Sequence, residues 1–406
     1  MITEQIEKQA GELISLLGKE LDVPDSKYKE AEEHYDAVGR WLNRPESKIA
    51  KYFSDIYVQG SFLLGTAIAP ISDEGEYDLD SVCNLMLKTS SCTQQQLKEL
   101  VGYEVKAYAK AQNMVNPVKD GRRCWTLDYS DSSRFHMDIL PAIPNKEGFR
   151  LLLEKRGSSS EYTDDAISIT DTERDSYSII SDDWLISNPK GYAQWFREKM
   201  QPVSLVQFSE SRDLMEKYAS VESVPVHELR TPLQRVIQVL KRHRDIKFGD
   251  DDDKPISIII TTLASRAYRN QADLLEALRG IVTDMPQYIE NRDGVKWVPN
   301  PVNQTENFAD RWEQEPQREQ VFRKWHKELV EELGGLITET GGLHNFSARM
   351  EKFAGEKAAA EVMKEYAESM KEARLSGTLK AAAGLGTLSV GSSSGASVKK
   401  HDFYGK

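Results

Sequence analysis

A carboxylate in the middle of an apolar β-segment constrains this chain more than any bulk property. In residues 135–143, FHMDILPAI, alternation sends Phe135, Met137 and Ile139 to one face and His136, Asp138 and Leu140 to the other. The first set must be covered by other elements. Asp138 is costly on such a strand unless it is paired or bound to a cation. A salt bridge to Arg134 or Arg123 is one way to satisfy it, and a metal ion is the other. Pro141 is expected to end the strand.

A second acidic strand lies upstream. Asp78 and Asp80 follow Gly75, Glu76 and Tyr77 and stand two apart, so both carboxylates emerge on one face. Like charges this close repel unless something neutralises them, and Mg²⁺ prefers such hard oxygen ligands. An Asp-x-Asp alone is common in chains of any kind. Further upstream, Gln59, Gly60 and Ser61 form a turn into an apolar helix expected to begin at Phe62. Gly60 allows close backbone approach to a phosphate, and the helix start offers N–H groups; a plain N-cap is the ordinary alternative.

Around these motifs the chain reads as a small mixed sheet with helices, followed by a helical region. The stripe Tyr28, Ala31, Tyr35, Val38 and Leu42 predicts a bracing helix over 28–42. A helix is expected near 93–113, then strands at 122–128 and 134–140 joined by a turn at 131–133. Thr231 caps a helix over 230–245 with Pro232 in its first position. The run 256–268 reads as a buried helix, and further helices are expected over 310–333 and 344–376. The domain expectation is 1–190 for a catalytic lobe, 191–375 for a helical lobe and 376–406 for a flexible Gly/Ser-rich tail.

The net charge of -12 argues against constitutive nucleic-acid binding, which needs an excess of Lys and Arg. Residues 250–253 are four consecutive aspartates, expected to be a solvated loop tip. Cys83, Cys92 and Cys124 fit neither a disulfide framework nor a zinc site. The N-terminal stretch lacks a signal-peptide core, and no apolar run approaches the ~20 residues of a membrane span. A cytoplasmic protein is therefore expected, without membrane association.

In order, Gly-Ser, Asp-x-Asp and a third strand Asp make the signature of polymerase-β-like nucleotidyltransferases. Residues 57–80, 135–143, 184–196 (WLISNPKGYAQWF), 240–248 (LKRHRDIKF) and 300–312 (NPVNQTENFADRW) resemble the bacterial CD-NTases of CBASS anti-phage defence. These are relatives of cyclic GMP-AMP synthase and oligoadenylate synthase, and the resemblance covers about residues 25–335.

It implies an α+β fold, with a nucleotidyltransferase lobe built on a small mixed sheet and a C-terminal helical lobe. It implies two Mg²⁺ ions, replaceable by Mn²⁺, held by the catalytic Asp78, Asp80 and Asp138. Gln59, Gly60, Ser61, Lys241 and Ser257 are implied to bind the nucleotide. From local sequence alone Lys241 is an exposed helix-end lysine. Asn300 and Asn303 read as turn formers and are left outside the site. His136 reads as a hydrogen-bonded wall residue rather than a proton acceptor.

The implied activity is synthesis of a cyclic di- or trinucleotide messenger from ATP and other nucleoside triphosphates, with pyrophosphate released. A synthase of linear oligonucleotides is the nearest alternative, and a catalytically idle sensor or scaffold is the alternative of another class. Some relatives hand their C-terminus to an E1/E2-like partner, usually at a terminal Gly or Ala. This chain ends in Lys406 after Phe403-Tyr404-Gly405, which fits partner capture by the tail better than conjugation.

Overall fold

The computed structural model describes residues 2–52, 55–72, 74–129, 134–157, 161–207, 230–339, 342–381, 388–390 and 396–398. The turn expected at 131–133 and the terminal 403–406 lie outside the described residues. The chain packs as two units. One comprises 23–234 with 299–308, and the other 1–22, 235–298 and 309–406.

The first is the sheet unit. Its strands are β1 (Asp55–Val58), β2 (Tyr77–Asn84), β3 (Lys119–Asp120), β4 (Trp125–Tyr129), β5 (Phe135–Pro144), β6 (Ile167–Ile169) and β7 (Leu185–Ser187). They run in the order β1-β2-β5-β4-β3, with β6 added to β5 and β7 to β6. Only β2 and β5 pair in parallel. On one face Leu79, Leu127, Phe135, Met137 and Ile139 are buried beneath helices Asp25–Leu42 and Gln94–Ala111. The first of these helices buries Tyr28, Ala31, Tyr35, Val38 and Leu42, the stripe read from sequence. Val38 and Leu42 each contribute about 1.5–3 kcal/mol by leaving water. The Tyr35 hydroxyl donates to the Ile56 carbonyl, tying this helix to β1.

Strand β5 runs through Pro141 instead of stopping there. The carbonyls of Arg134 and Ala142 accept from Tyr77 and Leu85 on the β2 side. Even positions of β5 therefore address β2, and odd positions the opposite edge. On that edge β4 pairs only as far as Ile139 and β6 begins at Ala142. The missing N–H of Pro141 falls between two partners and breaks no ladder bond.

The second unit is mainly helical. It contains helices Ile2–Glu20, Ser257–Ala267, Leu274–Asp284, Pro316–Ile337, Leu343–Ala354 and Glu356–Ser376. Helix Pro232–Phe248 enters it at Arg235. Thr231 caps that helix in a box, the Gln234 N–H reaching Thr231 Oγ1 (3.4 Å) and the Thr231 N–H reaching Gln234 Oε1 (2.9 Å). The expected stretch 310–333 is divided at Pro316, and 344–376 at Gly355, where φ is +93°.

The division between units is not the contiguous one expected near residue 190. Leu13, Ile14 and Leu17 of the first helix are buried in the helical unit, where Gln9 donates to the Tyr366 hydroxyl at 3.2 Å. Of the described residues beyond 190, 191–207 and 230–234 belong with the sheet. The tail expected to be flexible from 376 contains an antiparallel sheet of Leu379–Ala381, Leu388–Val390 and Ala396–Ser397. Gly377 at φ +78° ends the preceding helix, the Thr378 N–H donates to the Ala373 carbonyl at 2.9 Å, and Leu379 is buried. The tail thus borrows its support from a helix rather than folding alone.

The aspartate run is partly tied down. Arg318 donates to the Asp252 carbonyl at 2.6 Å and pairs with Asp253 at 3.4 Å. No described helix is long and apolar enough to cross a membrane.

Candidate active site

The parallel pairing of β2 with β5 decides which carboxylates meet. Asp80 stands directly opposite Asp138, and Asp78 opposite His136. Partners in adjacent strands lie about 4.8 Å apart along the sheet. Asp78 and Asp80 point to the face away from the helices, as do His136 and Asp138, while Leu79 and Met137 between them are buried. Three acidic side chains therefore converge on one patch of the sheet, as the alternation requires. The Asp78 side chain is 83% exposed, and Asp138 is half-buried.

The glycine turn is fastened to the same patch. β1 pairs antiparallel with β2, Val58 opposite Ser81, and the Gln59 N–H donates to the Asp80 carbonyl at 2.8 Å. Helix Gly60–Leu64 starts at Gly60 rather than Phe62, with Gln59 as its extended N-cap. Gly60 has φ +67°, and a Cβ there would lie 2.2 Å from Asp80 Oδ2. A side chain there would be strained by the positive φ and would have to displace the Asp80 carboxylate. The first N–H groups of this turn, at Gly60 and Ser61, have no helical carbonyl before them. The glycine turn and the Asp80 carboxylate are thus built side by side.

Asp138 is held from three directions. Ser81 Oγ donates to its carbonyl at 3.0 Å, and Thr126 Oγ1 donates to its Oδ1 at 2.5 Å. The Cys124 thiol is pushed up to about 12, by burial first and then by the charge and hydrogen bond of Asp138. The arginine alternative fails for Arg123, which pairs with the fully buried Asp171 at 3.1 Å beside the Arg122 fork. The donor set of Asp78, Asp80 and Asp138 is all hard oxygen with excess negative charge, and it suits divalent cations.

A neighbouring cluster was not foreseen. His136 Nε2 lies 2.9 Å from Glu76 and 3.5 Å from Asp128. Ligand atoms of these three lie within 4.8 Å of one another, a spacing that could admit an ion. Lys119 already sits 3.2 Å from Asp128, so a cation is in place there. His136 behaves as the hydrogen-bonded wall residue read from sequence.

The remaining expected site residues belong to the helical unit. Lys241 is not an exposed helix-end lysine: its helix runs on to Phe248, which leaves it mid-helix and 5% exposed. Ser257 opens helix Ser257–Ala267, and its Oγ accepts from Arg244 at 2.9 Å. Asn300 donates to Glu306 at 2.7 Å, and Asn303 Oδ1 accepts from the Thr305 hydroxyl at 2.7 Å. Both serve their own hairpin.

The geometry has counterparts among known proteins. Residues 54–141 match the nucleotidyltransferase domain of the cyclic GMP-AMP synthase DncV-like family. A c-di-GMP synthase of Roseivirga ehrenbergii is 28% identical over 324 residues, covering 78% of this chain and 77% of that protein. These matches make the chain similar to CD-NTases. A second CD-NTase relative, the cyclic dinucleotide synthase CdnG of Bradyrhizobium diazoefficiens, is 24% identical over 316 residues, 74% of this chain and 69% of that one. The solved structure of CdnG in complex with GTP superposes with a TM-score of 0.65 at 20% identity, covering 88% of this chain and 99% of that one. The CdnC:HORMA complex of E. coli gives 0.54 at 12% identity, over 85% and 96% of the two chains. The CD-NTase fold, a polymerase-β-like lobe with a helical lobe, is the α+β architecture expected from sequence.

Proposed function

We propose that this chain joins nucleoside triphosphates into a cyclic oligonucleotide messenger of antiviral signalling, with Asp78, Asp80 and Asp138 as its metal ligands. The observation that carries the site assignment is the contact between the Gly60 backbone and Asp80, which itself faces Asp138 in register. That contact supports reading the Gly60 and Ser61 N–H groups as the phosphate binders of a metal-holding carboxylate set. Two Mg²⁺ ions, or Mn²⁺ in their place, would acidify the attacking ribose hydroxyl and neutralise the pyrophosphate leaving group.

The chain's own part is positioning. Asp78 and Asp80 would hold both cations, and Asp138 would complete the set on the nucleophile's side. N–H groups at Gly60 and Ser61 align the triphosphate for in-line displacement, with Gln59 fixing their turn. Lys241 and Ser257 are assigned to the triphosphate by the family resemblance. The buried setting of Lys241 suits a lysine kept for an anion better than one kept for solubility.

The relatives are named as a c-di-GMP synthase and a cyclic dinucleotide synthase, which supports a cyclic product over a linear one. The HORMA complex of E. coli CdnC supports a protein regulator. The C-terminal residues 398–406 are our assignment for capturing one.

The test is incubation of the pure protein with four labelled triphosphates and Mg²⁺ or Mn²⁺, followed by mass spectrometry. A product resistant to phosphatase, lost in Asp78→Asn with Asp80→Asn, is the expected result. A phosphatase-sensitive ladder would replace the cyclic assignment with the linear one.

A further inference from the structure

Strand β4 brings an uncharged group to the cage. Thr126 is the direct antiparallel partner of Asp138, so both side chains leave the same face of the sheet with Cβ atoms about 5 Å apart. The separation of 2.5 Å between Thr126 Oγ1 and Asp138 Oδ1 is that of a strong, charge-assisted hydrogen bond. A β-branched residue in a strand has a stiff χ1, so the hydroxyl is held in place without help from the ligand.

On its other side Asp138 faces Asp80. The Asp138 carboxylate thus stands in register between Thr126 and Asp80 and is tied through Oδ1 to the former. Ser81 fixes the backbone at the same residue through the Asp138 carbonyl. Both the main chain and the carboxylate plane of Asp138 are therefore set before any cation arrives.

We infer that Thr126 is a positioning residue for metal binding, orienting the Asp138 carboxylate so that one oxygen is presented to the cation site beside Asp80. The inference rests on Asp138 being a metal ligand, as proposed above. Groups that orient a ligand in this way are typically worth about 10–100-fold in metal affinity. A hydroxyl that only satisfied a half-buried carboxylate would affect stability and leave metal affinity alone.

The experiment compares Thr126→Val, nearly isosteric without the donor, with Thr126→Ser, which keeps the donor. Mn²⁺ binding is read by electron paramagnetic resonance in the presence of a non-reactive triphosphate analogue. The Mn²⁺ concentration for half-maximal rate and the KM for triphosphate are read alongside. Thr126→Val should weaken Mn²⁺ binding and raise the half-maximal concentration by about 10–100-fold with KM nearly unchanged, and Thr126→Ser should restore both. Should Thr126→Val fail to fold by thermal melting, Thr126→Ala is measured in its place.

Wild-type Mn²⁺ affinity in the donor-less variant would overturn the inference, as would equal damage in Thr126→Ser. Asp138→Asn separates the two levels. If it keeps full activity, the metal assignment of Asp138 is what fails. If it is inactive while Thr126→Val matches wild type, only the role of Thr126 fails.

Discussion

His136 and His243 both stand among carboxylates, but in opposite settings. His243, in the helical unit, is fully buried. Its Nδ1 accepts from the Trp325 indole at 3.0 Å, and its Nε2 faces Glu332 at 3.2 Å. An indole N–H can only donate, so the imidazole proton sits on Nε2. Lys247 and Lys352 complete Glu332 at 2.6 and 3.0 Å. Charges there are matched, with His243 and Glu332 shielded and Lys352 reaching in from the surface. His136, 27% exposed, shares its face of the sheet unit with Glu76, Asp78, Asp80, Asp128 and Asp138. The first setting is a structural keystone. The second gathers carboxylates on a more exposed face, a set of hard oxygen donors that suits divalent cations.

The comparison is broken most directly at the open end. Asp80→Asn or Asp138→Asn should lower turnover by about 1,000-fold or more while leaving the melting temperature equal or higher, because a like charge is removed. A melt that collapses with activity would make these carboxylates structural, like Glu332.

The covered face of the same strand should respond the other way. Phe135 is 1% exposed and stacks on Tyr77 with centroids 5.2 Å apart. Phe135→Ala should cost about 3–5 kcal/mol of stability in denaturant unfolding, with the activity of the remaining folded molecules largely kept.

At the closed end the signature is pH dependence of stability. Burial holds His243 down to about 4, against the ordinary imidazole value of 6.5. The unfolded chain therefore takes up its proton first as pH falls. The contribution is fully present above about 6.5 and is lost between there and 4, by roughly 3 kcal/mol. Glu332, held low by Lys247 and Lys352 against its burial, adds a loss of the same sign at lower pH. Unfolding between pH 7.5 and 4.5 should show a flatter slope in His243→Gln; an unchanged slope would remove His243 from the account.

The smallest expected effect sharpens the open site. Gly60→Ala forces a Cβ against Asp80 at a residue with positive φ. It should cut turnover by about 10–100-fold, read in single-turnover assays, because the carboxylate must move aside. Wild-type rates would detach the turn from the cage.

Sequence carried much of this because strands alternate strictly. The split of residues 135–140 between faces, the shared face of Asp78 and Asp80, and the stripe on helix Asp25–Leu42 all follow from period alone. Register does not. Nothing local says that Asp80 meets Asp138, or that Thr126 meets it from the other edge, since pairing depends on how distant strands align. Pro141 misled for the same reason: a proline ends a strand only where its N–H is wanted. Lys241 seemed exposed because its helix was expected to end near 245, and the N-terminal helix gave no sign of which unit it would join.

The most direct measurement is a crystal structure soaked with Mn²⁺ and a non-reactive triphosphate analogue, read by anomalous scattering. Density between Asp80 and Asp138, with a second peak bridging Asp78 and Asp80 to the triphosphate, is the expected result. Peaks held only by Glu76, Asp128 and His136, with none at Asp80 and Asp138, would contradict it.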